Sequence, residues 1–547
     1  MRFFMFVLLA FAFVLPSYGS EPVEFDQVVQ KLTTKNFKKK IQLIESIALS
    51  GDDRALPIMQ ALSQGDLFYL KDSKQVVIGK STDVGYEITN IESMGVGSET
   101  SQASTLKIVS KSELRKVKIN NKMRRSLRGL MAALELTSKV IDTRLAAAKN
   151  IIRSPSEDVL PYLEMAIEKE LDEDAKQMMQ VARGVILSKS NNAEVRLEGV
   201  NAMSGFPDQD VKGILANMLA KDEAGEYQEK DAAVVAAAEQ AMKILDRKES
   251  FYKVIENMFF GLSAGSVLLL AAVGLAVTFG VMGVINMAHG EMIMLGAYTT
   301  YVIQLLMPNS IEYSLLVAIP AAFLVSGMFG VVLERTVIRF LYGRPLETLL
   351  ATFGVSLILQ QLVRSVFSPL NRSVTTPEWM SGSWEINGML SLTYNRLYIV
   401  IFSLLVLGGL LLLLKKSHFG LQMRAVTQNR AMASSMGIRT GWVDALTFGL
   451  GSGIAGIAGV AISQLTNVGP NLGQAYIIDS FMVVVFGGVG NLFGTLFGAM
   501  SLGIANKFVE PFTGAVIAKI LILVFIILFI QRRPRGMFAL KGRFVED

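Results

Sequence analysis

The chain of 547 residues contains no cysteine. Disulfides, thiolate metal sites and a cysteine nucleophile are excluded together. Histidine is almost as scarce: only His289 and His418 occur, and two histidines so far apart make no metal site. Charge is thin as well, with 18% charged residues against 51% hydrophobic ones, the balance of a membrane protein rather than a soluble one. The net charge of +6 is mild and gathered in a few loops, which is not the footprint of a nucleic-acid binder. A phosphate loop is missing too. Gly79-Lys80-Ser81-Thr82 has the end of one, but the glycine required five positions before Gly79 is Lys74. Any ATP chemistry must therefore come from partners, so no enzyme, cofactor or metal is expected in this chain.

What is present divides unevenly. Residues 1–19 have one basic residue (Arg2), an apolar run from Phe3 to Leu15, then Pro16, Ser17 and Gly19, the layout of a secretory signal. The run is short for a span of about 20 residues. Residues 20–250 are polar and are expected outside the cytoplasm. Within them, RLAAAKNIIRSPSEDVLPYLEMAI from Arg144 and RLEGVNAMSGFPDQDVKGILANML from Arg196 align without a gap. A third, weaker copy begins near Lys40. Each copy reads as helix, Pro- or Gly-containing turn, helix, the pattern of stacked HEAT-like pairs that bury their apolar faces against neighbours. Between about residues 65 and 120 the segments FYLKDSKQVVIGKST and LKIVSKSELRKVKI alternate like strands and predict a small β insertion. Partner docking and a passive structural cap remain equally open for this half.

Residues 251–535 form the membrane part, and 536–547 a cytoplasmic tail. Apolar segments at 258–281, 289–307, 314–334, 347–367, 397–414, 441–462, 476–488, 493–510 and 514–531 predict eight or nine transmembrane helices, with 476–488 short enough for a half-span. The fold expected is an all-α polytopic membrane protein preceded by an exported, mainly α-helical repeat domain. Arg335, Arg339 and Arg344, then Lys415, Lys416, Arg424, Arg430 and Arg439, then Arg532, Arg533 and Arg535 mark alternate loops as cytoplasmic.

Two stretches break the apolar pattern. GVINMAHGEMIMLGAY places Asn286, His289 and Glu291 beside Gly283, Gly290 and Gly296. An ionisable group at membrane depth costs at least about 2.5–3.5 kcal/mol, so it normally faces a cavity or protein interior. The glycines permit a broken helix with free backbone groups for a polar solute. If the segment is helical, Asn286 and His289 share a face and Glu291 points elsewhere. The competing reading places the segment at the cytoplasmic end of the first span, where His289 and Glu291 cap and solvate a turn. Asn491, in GGVGNLFG, is a weaker path candidate; Asp479 reads as a helix N-cap, and Glu334 with Arg335 as an interface pair. In the second stretch, FGLQMRAVTQNRAMASSMGIRTG predicts a short helix over about 427–436 closed by Gly437. Ala431, Met432, Met436 and Ile438 make its apolar face, with Arg424, Arg430 and Arg439 around it.

The segments 261–291, LER…GRPLETLLATFGVSLILQ over 333–360, FGLQMRAVTQNRAMASSMGI over 419–438 and VVVFGGVGNLFGTLFGA over 483–499 resemble the permease subunits of ABC importers in the branched-chain amino-acid permease family. INMAHGE, with Met287 where amino-acid permeases often carry an aromatic residue, and the long exported half look most like the urea-importer permease. The resemblance implies alternating access in a bacterial inner membrane. It also implies cytoplasmic ATP-binding subunits, a second homologous permease subunit and a periplasmic solute-binding protein as partners. Arg424, Asn429, Arg430, Ala431, Met432, Met436, Gly437 and Ile438 then become the loop that docks on the ATPase, and Asn286, His289, Glu291 and Asn491 the solute path. Urea or a similar small amide is the expected solute, with branched-chain amino acids as the alternative. A membrane-anchored repeat scaffold or receptor and a passive channel are the readings from other classes.

Overall fold

The computed structural model describes residues 25–538 except 35, 83–84, 92–106, 111 and 224. The expected signal at 1–19 and the tail beyond 538 lie outside the described residues. The chain divides into two compact units between Arg247 and Lys248.

The first unit opens with α1 (Phe25–Gln30), α2 (Phe37–Leu49) and α3 (Ala55–Gln64). Five strands follow: β1 (Leu67–Leu70), β2 (Val76–Thr82), β3 (Gly85–Asn90), β4 (Lys107–Val109) and β5 (Leu114–Lys116), paired antiparallel in the order β4-β3-β2-β1-β5. The expected β insertion is this sheet. Next come α4 (Asn121–Leu136), α5 (Ile141–Arg153), α6 (Leu160–Lys169), α7 (Glu173–Leu187), α8 (Ala193–Met203), α9 (Gln209–Met218) and α10 (Ala232–Met282), which starts in this unit and ends in the second.

The pairs α5–α6 and α8–α9 occupy the two aligned copies, and α2–α3 the third. The repeat differs from the expected two-helix unit, because a third helix follows each pair: α4, α7 and the beginning of α10. The third helices escape sequence alignment because the connection at 219–231 is longer than its counterpart at 170–172, which shifts the register. Equivalent latches confirm the equivalence. Arg144 Nε donates to Glu170 Oε2 (2.6 Å) and its Nη1 to Ser138 O (2.9 Å). Arg196 Nη2 donates to Glu229 Oε1 (2.7 Å) and its Nη1 to Ser190 O (3.0 Å). Each arginine ties the loop before a first helix to the acid that precedes a third. Those hydrogen bonds hold the Glu170 and Glu229 carboxyls below the usual carboxylate range. Asp172 and Asp231 then cap α7 and α10, accepting from Ala175 N and Ala233 N at 2.9 Å each.

The second unit adds α11 (His289–Leu306), α12 (Ile311–Thr336), α13 (Pro345–Phe367), the hairpin β6 (Ser383–Asn387) and β7 (Leu390–Thr393), then α14 (Tyr394–Lys416), α15 (His418–Gln428), α16 (Arg430–Ser435), α17 (Thr440–Ser463), α18 (Leu472–Gly487), α19 (Leu492–Thr513) and α20 (Ala515–Arg532). Seven helices among the described residues are long and apolar enough to cross a membrane: α10, α12, α13, α14, α17, α19 and α20. Eight or nine were expected, and the difference is two segments that fall short of these two criteria. The other two segments are helices as well. However, α18 has only 16 residues, and α11 opens on His289, Gly290 and Glu291.

α17 lies at the centre of the bundle. Its sequence FGLGSGIAGIAGV sets glycines where neighbouring backbones arrive. A Cβ on Gly451 would meet Gly274 O of α10, one on Gly456 would meet Ala322 O of α12, and one on Gly459 would meet Ile293 O of α11. Small residues let membrane helices approach at backbone range, where dispersion and weak hydrogen bonds replace the missing hydrophobic drive. By contrast α14 and α20 expose Leu405, Leu412, Phe525 and Leu528, as lipid-facing helices must.

Candidate solute path and coupling segment

α10 stops at Met282 because Gly283 turns left-handed (φ 67°), and residues 283–288 leave the helix. The break is stabilised from within and from across. Ala288 N donates to Asn286 Oδ1 (2.9 Å) and Met287 N to Thr352 Oγ1 of α13 (3.1 Å). His289 Nε2 lies 2.8 Å from Ala271 O; a carbonyl only accepts, so Nε2 carries the proton. Glu291 turns to α13, where its Oε1 accepts from Ser356 Oγ (2.9 Å) and Gln360 Nε2 (2.7 Å).

Asn286, His289 and Glu291 are all buried, so they do not solvate a surface turn. Asn286 and His289 also do not share a helical face, because Asn286 lies in the break. Asn286 Nδ2, His289 Nδ1 and Glu291 Oε2 have no hydrogen-bond partner among the described residues. A buried polar atom without a partner costs about 1–3 kcal/mol, so three on one short segment are a functional signal rather than a packing detail.

Facing this segment is a stripe that the sequence reading missed. Thr348, Thr352, Ser356 and Gln360 recur every fourth residue on α13, all buried, and Arg364 continues the row. Arg364 Nη2 donates to Asn471 Oδ1, just before α18, at 2.7 Å. The stripe was readable as an i, i+4 polar row inside an apolar run.

Asn491 is not part of this site. It caps α19, its Oδ1 accepting from Phe493 N and Gly494 N at 3.1 Å each. Asp479 is not an N-cap: it sits inside α18 and pairs with Lys519 of α20 at 3.0 Å. Glu334 and Arg335 do pair, at 3.7 Å, with Glu334 buried.

The helix expected over about 427–436 is shorter than expected and starts later. α15 ends at Gln428, Asn429 leaves the helix, and its Oδ1 accepts from Met432 N (2.9 Å) to start α16. Gly437 (φ 87°) closes it: Gly437 N donates to Ser434 O (3.0 Å) and Ile438 N to Ala433 O (3.1 Å), a Schellman pair. Met432 and Met436 are 62% and 78% exposed, and Ala431 is exposed beside them. Ile438 leaves the expected face, turning inward to the cluster that contains Ala433 and Val443. Arg424 Nη1 donates to Leu414 O. Arg430 is no free rim charge either. Its Nη2 meets Asp444 Oδ2 at 2.5 Å, and its guanidinium lies over the Tyr342 ring at 3.9 Å. Asp444, only 1% exposed, was not singled out from sequence.

Apolar helices facing lipid on the outside and an acid, an imidazole and an amide enclosed within them define a polytopic transport protein. Residues 257–530, half of the chain, match the family described as branched-chain amino acid transport system, permease component. The chain belongs to that family. It is 31% identical over 299 residues to the high-affinity branched-chain amino acid transport system permease protein LivH of Escherichia coli (strain K12), covering 53% of this chain and 96% of the relative. To the corresponding permease protein BraD of Pseudomonas aeruginosa it is 29% identical over 295 residues, 52% of this chain and 96% of the relative. The ribose import permease protein RbsC of Escherichia coli (strain K12) is 27% identical over 263 residues, 46% and 77% of the two chains. No solved structure matches the chain. These relatives are named as permeases, none of the three as an enzyme and none for urea. The branched-chain alternative fits the comparisons better than the urea expectation.

Proposed function

We propose that this chain is a permease subunit of an ATP-driven importer whose solute is a branched-chain amino acid. Such a solute is a zwitterion with an apolar side chain. It needs an acceptor for its ammonium, donors for its carboxylate and an apolar wall. Glu291 Oε2 is a buried free acceptor and Asn286 Nδ2 a buried free donor, and this pair is the observation that carries the reading. Arg364, one helical turn beyond Gln360, adds a positive charge on the same row, while Met292, Ile293, Leu359 and Val363 supply apolar surface. The path runs between the 283–291 segment and the α13 stripe; His289 holds the break to α10 and belongs to the gate.

The basic loops face the cytoplasm in this reading, and the first unit lies outside in the periplasm. α16 presents Met432 and Met436 to cytoplasmic ATP-binding subunits, methionine being suited to a groove on a partner. A periplasmic binding protein delivers the solute, and a second permease subunit completes the path in the inner membrane.

The assembled complex in vesicles, given ATP, binding protein and labelled leucine or urea, tests this. ATP-dependent leucine uptake supports it. Urea uptake without leucine uptake overturns the solute, uptake without ATP favours a channel, and absence of any uptake favours a scaffold.

A further inference from the structure

We propose that Arg430 and Asp444 are a positioning pair that transmits movement of α16 into α17, and through α17 into the segment bearing His289 and Glu291. The inference rests on the docking reading of α16 given above and assigns the part that carries the stroke onward.

α16 has six residues, too few to hold a helix by itself. Its shape is fixed locally by Asn429 and Gly437, and its outer face is exposed methionine. A push on that face reaches the membrane body only through the inner side. There Ala433 and Ile438 supply apolar packing, and Arg430 supplies a directed bond to the first turns of α17. Asp444 is enclosed while the Arg430 side chain is 37% exposed, so the acid's end of this charge-assisted bond is shielded from water. Only one oxygen and one nitrogen engage: Asp444 Oδ1 and Arg430 Nη1 have no partner among the described residues. A single-point bond of this kind pulls and pushes along its axis while allowing rotation about it.

The surroundings support transmission in one direction. Tyr342, under the Arg430 guanidinium, belongs to the turn between α12 and α13. Arg335, at the end of α12, lies over the Trp442 ring of α17 at 4.3 Å and pairs with buried Glu334. Glu334, Arg335, Arg339 and Tyr342 are the other charged or titratable groups acting at this end, and all belong to α12 or the turn after it. α16 is thereby clamped to α17 and to the α12–α13 turn together.

From Asp444, α17 rises about 18–23 Å over the twelve to fifteen residues to Gly456 and Gly459. At those glycines it touches α11 backbone to backbone, at Gly296 and Ile293. Glycine contacts contain no side chain that can bend and absorb displacement, and packed interiors transmit strain. α17 therefore moves as a rod, and α11, whose first turn holds His289 and Glu291, moves with it.

The experiment uses the complete complex in vesicles, reading ATP hydrolysis, solute uptake and retention of the ATPase subunits in parallel. Arg430→Gln and Asp444→Asn are expected to lower uptake at least about tenfold while hydrolysis and ATPase retention stay near the parent values. The charge-swapped double variant, Arg430→Asp with Asp444→Arg, is expected to recover most of the uptake. Arg430→Lys keeps the charge without the planar fork and should fall between. Met432→Asp should instead release the ATPase subunits; retention there overturns the docking reading alone. Unchanged uptake in both single variants overturns the positioning pair. So does parallel loss of hydrolysis and ATPase retention, which makes Arg430 a docking residue. If the single variants fail to assemble, Arg430→Lys decides: an uptake-to-hydrolysis ratio equal to the parent overturns the pair.

Discussion

Replacing Glu291 separates a solute-binding role from a structural one. In the native chain Oε1 accepts two hydrogen bonds, from Ser356 and Gln360, while Oε2 is unpartnered. Glu291→Gln keeps an oxygen for both donors and puts an amide nitrogen where the free oxygen was. The structural cost is one buried donor without an acceptor, about 1–3 kcal/mol. Glu291→Leu removes the shared acceptor of Ser356 Oγ and Gln360 Nε2, leaving Gln360 Nε2 its 3.2 Å bond to Ser356 Oγ and Ser356 Oγ without its acceptor, at a cost in the same range of about 1–3 kcal/mol. If Oε2 receives the ammonium of the solute, either change also removes a charge-assisted bond of about 1.5–3 kcal/mol. At about 1.4 kcal/mol per decade, that is a loss of roughly ten- to a hundredfold in uptake efficiency. Thermal unfolding of the purified chain reads the structural part, and ATP-driven leucine uptake per assembled complex reads the functional part. Glu291→Gln is expected to keep most of the stability and lose leucine uptake by at least about tenfold. Uptake at the parent level in Glu291→Gln refutes the reasoning, as does a loss that only mirrors reduced assembly.

Three further outcomes follow from other parts of the molecule. Gly456→Val should lower the unfolding midpoint, since a Cβ there falls 2.5 Å from both Ala322 O and Ser326 Oγ, whereas Gly408→Ala on α14, with nothing within 4 Å, should be neutral or stabilising. Overpacking typically costs about 1–3 kcal/mol, and a midpoint unchanged by Gly456→Val contradicts the glycine contacts of α17. Because the chain has no cysteine, Met436→Cys gives a single thiol on an exposed site; a membrane-impermeant maleimide should label it in inside-out vesicles and not in intact cells, and the reverse overturns the assigned sidedness. In the first unit, Arg144 and Arg196 depress the native pKa values of Glu170 and Glu229, so their contribution is complete above the unfolded value of about 4.3 and is lost as pH falls through the native values. Amide protection of α6–α7 and of the start of α10 in the full chain, corrected for intrinsic exchange, should be level above about pH 5 and fall below about pH 4; a decline on going upward in pH would contradict the sign.

What could be read from the letters alone depended on whether the signal was local. Apolar runs, the strand alternation at 65–120 and the helix pairs of the Arg144/Arg196 repeat are local and became elements where expected, whereas the third helix of each repeat was not read. Asn286, His289 and Glu291 stood out because polar residues are anomalous in an apolar run, but the partners of Glu291 on α13, Ser356 and Gln360, lie 65 and 69 residues away in the chain. Asn491 was misplaced although the rule that corrects it is also local: an asparagine immediately before a helix is a cap before it is a ligand. Ile438 follows the same lesson, since the residue after a Schellman glycine packs back on its helix rather than facing a partner. The deeper obstacle is that apolarity points the wrong way within the bundle. The strongest apolar runs, α14 and α20, are mostly exposed, so their side chains meet lipid. Of the weaker ones, α13 carries the polar row of the candidate path, and α17 with its glycines is buried over most of its length. Glycine, serine and threonine score as poor membrane residues on a transfer scale because that scale describes contact with lipid. Where a helix meets other helices, the same residues permit close approach and polar linkage. Hydropathy therefore locates the bundle without ranking its helices by functional weight: α10 is more apolar than α17 and equally buried, and α19 is the least apolar of the seven.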